Sequence, residues 1–332
     1  MEIDSDNKKD ISVKGKNFYL NISDGYISQY KIDNESIITS ALKPNFWRAS
    51  TDNDWRGWKV DRLFAFWKDA PLKLKTVSID VRKSEGNLEV KVLKAIDERL
   101  RLTLNYKVKA DGTIGVHYSM MKSPEISEML RVGLQCECTN RLSDVTYYGR
   151  GPWENYTDRK DATPIGVYES TVSDQWVDYV KPQEMGNHEE VRWISITNAD
   201  GMGFVFVAGG QMAASALHVR AQDMADPDHL QKLIHKYDIP MRKETVLCLD
   251  AHNRPLGNAS CGPGPMKKYE LQATPVAFSF IMMPLERSYT QSELTKKARV
   301  QMPACMPVMV ERDNNGYLQM STGTPDATIF YS

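Results

Sequence analysis

The chain has 332 residues, with 42 Lys and Arg against 43 Asp and Glu, 41% hydrophobic and 9% aromatic residues. That composition supports a large core and excludes intrinsic disorder, while a formal charge of -1 excludes the broad basic footprint of non-specific nucleic-acid binding. No stretch approaches the ~20 consecutive apolar residues of a membrane helix, and residues 1–8 lack the apolar run of a secretory signal.

The first polar cluster in chain order is Asn45-Phe46-Trp47-Arg48-Ala49-Ser50-Thr51-Asp52-Asn53-Asp54-Trp55. Its Asp-Asn-Asp run offers ligands to a hard cation but lacks the glycine and distal glutamate of a calcium loop. A turn closed by Asx hydrogen bonds is the simpler expectation.

Alternation of apolar and polar residues predicts strands over 88–95 and 100–108, then a turn at Lys109-Ala110-Asp111-Gly112 into a strand over 113–120. The five cysteines include Cys136 and Cys138, which share a face of one strand, and none shows a zinc or disulfide spacing.

The densest polar and aromatic stretch follows, Tyr147-Tyr148-Gly149-Arg150-Gly151-Pro152-Trp153-Glu154-Asn155-Tyr156-Thr157-Asp158-Arg159. Rings for C–H faces with carboxylates and amides for hydroxyls are the mixture sugar sites use. Its structural alternative is a buried corner in which Glu154 or Asp158 pins Arg150 or Arg159.

In Pro182-Gln183-Glu184-Met185-Gly186-Asn187-His188-Glu189-Glu190 a histidine sits beside three carboxylates. That suffices for general acid–base work if they converge in a cleft; otherwise His188 is a hydrogen-bonding loop residue. A second hairpin is expected from 194–197 through Asn198-Ala199-Asp200-Gly201 to 203–208, and helical spacing marks 227–237 and 292–300.

The stretch Asp250-Ala251-His252-Asn253-Arg254-Pro255-Leu256-Gly257-Asn258-Ala259-Ser260-Cys261-Gly262 is Gly-rich and irregular, suited to lining a neighbour's site. Cys261 has no evident base partner as a nucleophile. After Pro284 the composition turns polar, and 308–312, 317–320 and 327–331 read as strands of a new small element.

Taken in order, these clusters resemble the C-terminal, or small-chain, β-sandwich of glycoside hydrolase family 2 β-galactosidases. Arg48-Ala49 with Asp52-Asn53-Asp54 is similar to that family's Arg-Ala…Asp-Asn-Asp motif, and 151–159 to its Gly-Pro-x-Glu-Asn-Tyr-x-Asp-Arg motif. The spacing to Tyr179-Val180-Lys181-Pro182-Gln183-Glu184-Met185-Gly186 and the late Gly-rich loop also match, so the resemblance spans 11–284.

The resemblance implies an all-β fold. A large antiparallel supersandwich of the galactose-mutarotase-like kind is expected over 1–287, a linker over 288–302, and the truncated start of a chitobiase-type β domain over 303–332. It further implies that the acid/base and nucleophile glutamates lie on a preceding (β/α)₈ barrel that hydrolyses β-galactosides with retention. Since no alternating β-α pattern is present, the chain itself carries no catalytic residue and no cofactor, any Mg or Na belonging to the barrel.

The expected partners are that barrel and carbohydrate, not nucleic acid or membrane. A signal for an exported parent would lie upstream. Carbohydrate-facing candidates are Asn53, Asp54, Arg150, Glu154, Asn155, Asp158, Arg159, Glu184 and His188, and the loop that reaches the barrel's active site holds Asn258, Ser260 and Cys261. Relatives carry a stacking tryptophan in that loop, whereas Cys261 stands near its place, which leaves open both the stacking contact and strict galactose specificity. Two other roles stay open: an autonomous carbohydrate-binding module, and an aldose epimerase using His188 with Glu184 or Glu189.

Overall fold

The computed structural model describes residues 1–84, 86–126, 128–224, 235–271, 275–301, 309–312 and 318–321. The N-terminal strands are β1 (Glu2–Asp4), β2 (Asp10–Lys14), β3 (Phe18–Ser23), β4 (Tyr26–Ile32) and β5 (Glu35–Asn45). A second run comprises β6 (Lys75–Ser84), β7 (Asn87–Ile96), β8 (Leu100–Val108) and β9 (Ile114–Lys122). Then come β10 (Arg131–Cys138), β11 (Asp144–Arg150), β12 (Ile165–Thr171), β13 (His188–Thr197), β14 (Met202–Leu217), β15 (Thr245–Asn253) and β16 (Val276–Glu286).

These strands join into one antiparallel sheet in the order β1-β2-β3-β4-β5-β10-β15-β14-β16-β9-β8-β7-β6, with β11, β12 and β13 branching from β14. The all-β expectation holds, and so do both hairpins: β8 and β9 pair through the Lys109–Thr113 turn, and β13 pairs with β14.

Strict alternation explains the pairing. In β8, Leu100, Leu102, Leu104, Tyr106 and Val108 point into the core while the residues between them face out. The sheet curls until its ends meet. The Tyr30 hydroxyl of β4 donates to the Gly112 carbonyl at 2.8 Å, and Tyr106 of β8 donates to the Gly25 carbonyl at 3.1 Å. Gly112 has φ 84°, and a Cβ there would lie 2.4 Å from the Tyr30 oxygen, so only glycine fits the closure.

Helices cap the sandwich where alternation fails. Residues Asn53–Gly57 form a π turn, followed by α1 (Val60–Leu63) and α2 (Ala65–Lys73). Trp67 of α2 is fully buried, its ring 5.3 Å from that of Phe46. Within the segment expected to link two domains, α3 (Gln291–Gln301) packs Leu294 and Ala298 against Trp193, Val205 and Leu285. Beyond it, β17 (Met309–Arg312) and β18 (Leu318–Ser321) pair as the expected hairpin. The strand expected at 327–331, Cys305, most of the expected chitobiase-type element and residues 227–234 of the expected helix lie outside the described residues, whereas 236–238 form a short 3₁₀ turn.

Candidate functional site

At one rim of the sandwich the end of β5, the start of β10 and the end of β15 converge with three loops, and the rim is built on buried charge. Arg48, fully buried, meets Asp54 in a fork, Nε to Oδ2 at 2.9 Å and Nη2 to Oδ1 at 2.8 Å. The same guanidinium donates to Asn253 Oδ1 at 3.2 Å, to the Arg254 carbonyl and to the Pro255 carbonyl at 3.3 Å. Thr51 and Asp54 exchange side-chain to backbone hydrogen bonds, so the Asp-Asn-Asp run enters the Asn53–Gly57 π turn through this reciprocal pair rather than through the Asx-closed turn expected.

A second buried cation stands beside the first. Arg131 pairs with Asp250 at 2.9 Å and with Glu184 at 3.2 Å. Glu184 also accepts from the Ala49 amide at 3.2 Å and from Asn253 Nδ2 at 3.3 Å, which ties the two clusters together. Burial holds the Asp250 carboxyl above the usual carboxylate range, although Arg131 pulls it the other way.

This frame clamps the late loop. Asp158 accepts the Leu256 and Gly257 amides at 2.9 and 2.8 Å, while Asn53 donates to the Gly257 carbonyl at 2.7 Å and accepts from the Ser260 amide at 2.9 Å. Asn258 closes the tip by accepting from the Cys261 and Gly262 amides at 3.1 and 2.7 Å. Gly57 has no room for a Cβ, which would sit 2.3 Å from that of Ala259. The side chains of Asn258, Ser260 and Cys261 are left exposed on a fixed backbone.

Four expected sugar-facing residues take structural roles instead. Asp54, Asn155, Glu184 and His188 are all buried, with their polar atoms spent on protein groups. Asn155, for example, donates to the Arg150 and Trp153 carbonyls at 3.0 Å each and accepts from the Glu189 amide at 2.8 Å. Neither Glu154 nor Asp158 pins an arginine: Arg150 lies 3.1 Å from Glu190, which Lys160 also grips at 2.8 Å. Sequence spacing could not show this, because Glu190 arrives from a different strand.

His188 stacks on Tyr147, centroids 4.3 Å apart, with Nδ1 3.2 Å from the Arg150 carbonyl and Nε2 2.5 Å from Gln175 Oε1. Burial pushes its pKa down to about 4, so the ring is neutral and donates to one of those oxygens. Its neighbour Glu189, half-buried, is pushed up to about 7 by burial, despite the Asn187 amide 3.0 Å away. Shifted groups of this kind mark active sites when they line a cleft. Of the His188 and Glu184 or Glu189 pair expected for an epimerase, His188 is 3% exposed and Glu184 5%, so both are closed off from solvent, and only Glu189 is half-buried.

Glu189 makes a measurable prediction. A carboxyl whose folded pKa exceeds its unfolded value stabilises fully below the unfolded value of 4.5 and loses that contribution as pH rises through about 7. Glu189→Gln keeps an acceptor for Asn187, so it is expected to leave stability unchanged in acid and raise it above neutrality by about 3 kcal/mol. Urea midpoints at acid and alkaline pH check this.

Beside the rim lies an open cleft of 510 Å³ between the 151–159 loop and residues 170–186. Glu154 sits in its wall, its carboxylate accepting from the Tyr179 hydroxyl, from the Tyr156 hydroxyl at 3.2 Å and from the Gly186 amide at 2.8 Å. Arg159 and Trp153 also line it, both exposed. Among the described residues no group of three or more His, Cys, Asp or Glu is placed to hold a metal ion. Cys136, Cys138 and Cys248 are buried free thiols, and Cys261 is exposed.

A family model described as beta galactosidase small chain matches residues 12–282. The chain is 30% identical over 230 residues to a β-galactosidase of Priestia megaterium, covering 68% of this chain and 22% of that one. It is 32% identical over 242 residues to a β-galactosidase of Lactobacillus delbrueckii subsp. bulgaricus, covering 71% and 23%. The chain thus spans about a quarter of the length of these curated relatives. Among solved structures, galactose 1-epimerase from Lactobacillus acidophilus aligns over 84% of this chain and 95% of its own at 7% identity, TM-score 0.47. A putative aldose 1-epimerase from Escherichia coli K12 aligns over 82% and 98% at 13% identity, TM-score 0.41.

Proposed function

The chain belongs to the beta galactosidase small chain family, and from that premise we propose that it is the accessory β domain of a retaining family 2 β-galactosidase. Its role is to support a separate catalytic barrel and complete one wall of the barrel's pocket. The observation that carries this reading is the late loop: Arg48, Asn53 and Asp158 hold its backbone, while Asn258, Ser260 and Cys261 stay exposed at its tip. A loop ordered before binding presents a fixed rim and loses little entropy when it meets substrate.

Retaining hydrolysis needs an acid/base and a nucleophile carboxyl about 5–5.5 Å apart and open to the sugar. Asp54, Glu184 and Asp250 are instead closed off and matched to arginines. In this reading the residues of the chain position a surface, and the proton transfers belong to the barrel, as does any Mg or Na the parent uses. With cysteine at the tip, the rim contributes a small contact in place of a stacking ring.

The test is direct. The isolated chain, folded, is expected to leave a chromogenic β-galactoside unhydrolysed above the uncatalysed rate. Turnover that a single substitution within the chain abolishes would overturn the accessory role.

A further inference from the structure

We propose that the cleft beside the rim is a saccharide-binding site in its own right, taking a neutral oligosaccharide of more than one ring. Trp153 leaves 69% of its surface in water although it borders a concave site. A large exposed ring at a cleft mouth is a surface that gains by being covered. Trp176 and Tyr179, partly buried, line the same cleft. Together the rings suit the C–H faces of pyranoses, because aromatic contact is broad and tolerant of rotation.

The polar groups suit hydroxyls. Glu154 is an acceptor with a fixed direction, held by two tyrosine hydroxyls and one amide. Arg159 is exposed at the edge and, among the described residues, has no ion-pair partner, so its donors are open to a ligand. Asp174, held by Thr171 at 2.8 Å through one oxygen, adds another acceptor.

Charge selects a neutral ligand. Glu154, Asp174 and Asp178 stand against Arg159 and Lys236, the latter 2.5 Å from Asp178, which leaves the site slightly negative and unfavourable to an anionic sugar. Length follows from a second cavity of 340 Å³ that shares Trp176 and Asp178 with the cleft and adds Tyr237, 86% exposed. Two adjoining cavities with a common wall give successive rings separate places.

The site goes beyond the accessory role and stands apart from the late loop. The test is a titration of the full chain, by calorimetry and tryptophan fluorescence, with lactose, longer β-linked galacto-oligosaccharides and oligogalacturonate. The expected result is saturable binding of the neutral sugars, tighter for the longer ones, weakened about tenfold by Trp153→Ala and by Arg159→Ala and less by Trp153→Phe. Both positions are exposed, and an unchanged thermal midpoint shows that the variants fold. No saturable binding by the folded chain would mark the cleft as a protein interface and overturn the proposal. Preference for oligogalacturonate, or binding lost in Cys261→Ser but kept in Trp153→Ala, would also overturn it. Turnover by the isolated chain refutes the accessory role and leaves the cleft standing, whereas silence in this titration does the reverse.

Discussion

Replacing Arg48 by alanine is expected to destabilise the protein by about 3–5 kcal/mol, because it strands a buried carboxylate. Asp54 is 1% exposed and loses both arms of its fork, while the Arg254 and Pro255 carbonyls lose their donor. Against a typical total stability of about 5–15 kcal/mol, that is a large share. The readout is a lower urea midpoint at unchanged slope, together with faster proteolysis of the late loop. Arg48→Lys keeps the charge without the planar fork, so it should recover only part of the loss. A loss below about 1 kcal/mol, the range of an exposed pair, would mean that the rim readmits water and that the loop is not held as described.

The second large effect is expected at Arg131, and it depends on pH. Arg131→Met leaves Asp250 and Glu184 buried without their shared cation, again at about 3–5 kcal/mol near pH 8. Asp250 already sits above the usual carboxylate range through burial, and losing the guanidinium raises it further. Such a group stabilises fully below its unfolded value and loses that contribution as pH rises through the folded one. The deficit of the variant should therefore shrink in acid, where Asp250 takes up its proton. A deficit that does not change with pH would show that the loss is one of packing rather than of charge.

The fold was readable where physics is local. β7, β8 and β9 alternate residue by residue, and their turn carries an aspartate and a glycine, so pattern and pairing agree. α2 was missed because Ala65–Lys73 contains Pro71 and two aromatics, and it is held by Trp67 docking under Phe46 rather than by helix propensity. α3 showed its helical spacing, but a polar sequence whose buried apolar positions are only Leu294 and Ala298 does not reveal which strands they meet.

The candidate site divides in the same way. By itself the sequence determined an antiparallel β architecture, a near-neutral charge and the residue types from which a sugar-directed surface is made. Only the tertiary structure decided which of those residues face water. Trp153, Glu154 and Asn155 are consecutive in an irregular loop with no period to sort them, yet one ring is exposed, one carboxylate lines a cleft and one amide is fully buried. The partners that decide this arrive from distant strands: Glu190 for Arg150, Asn253 for Arg48, Asp250 for Arg131. Burial and charge pairing are set by what the curled sheet brings together, and no local spacing encodes that meeting.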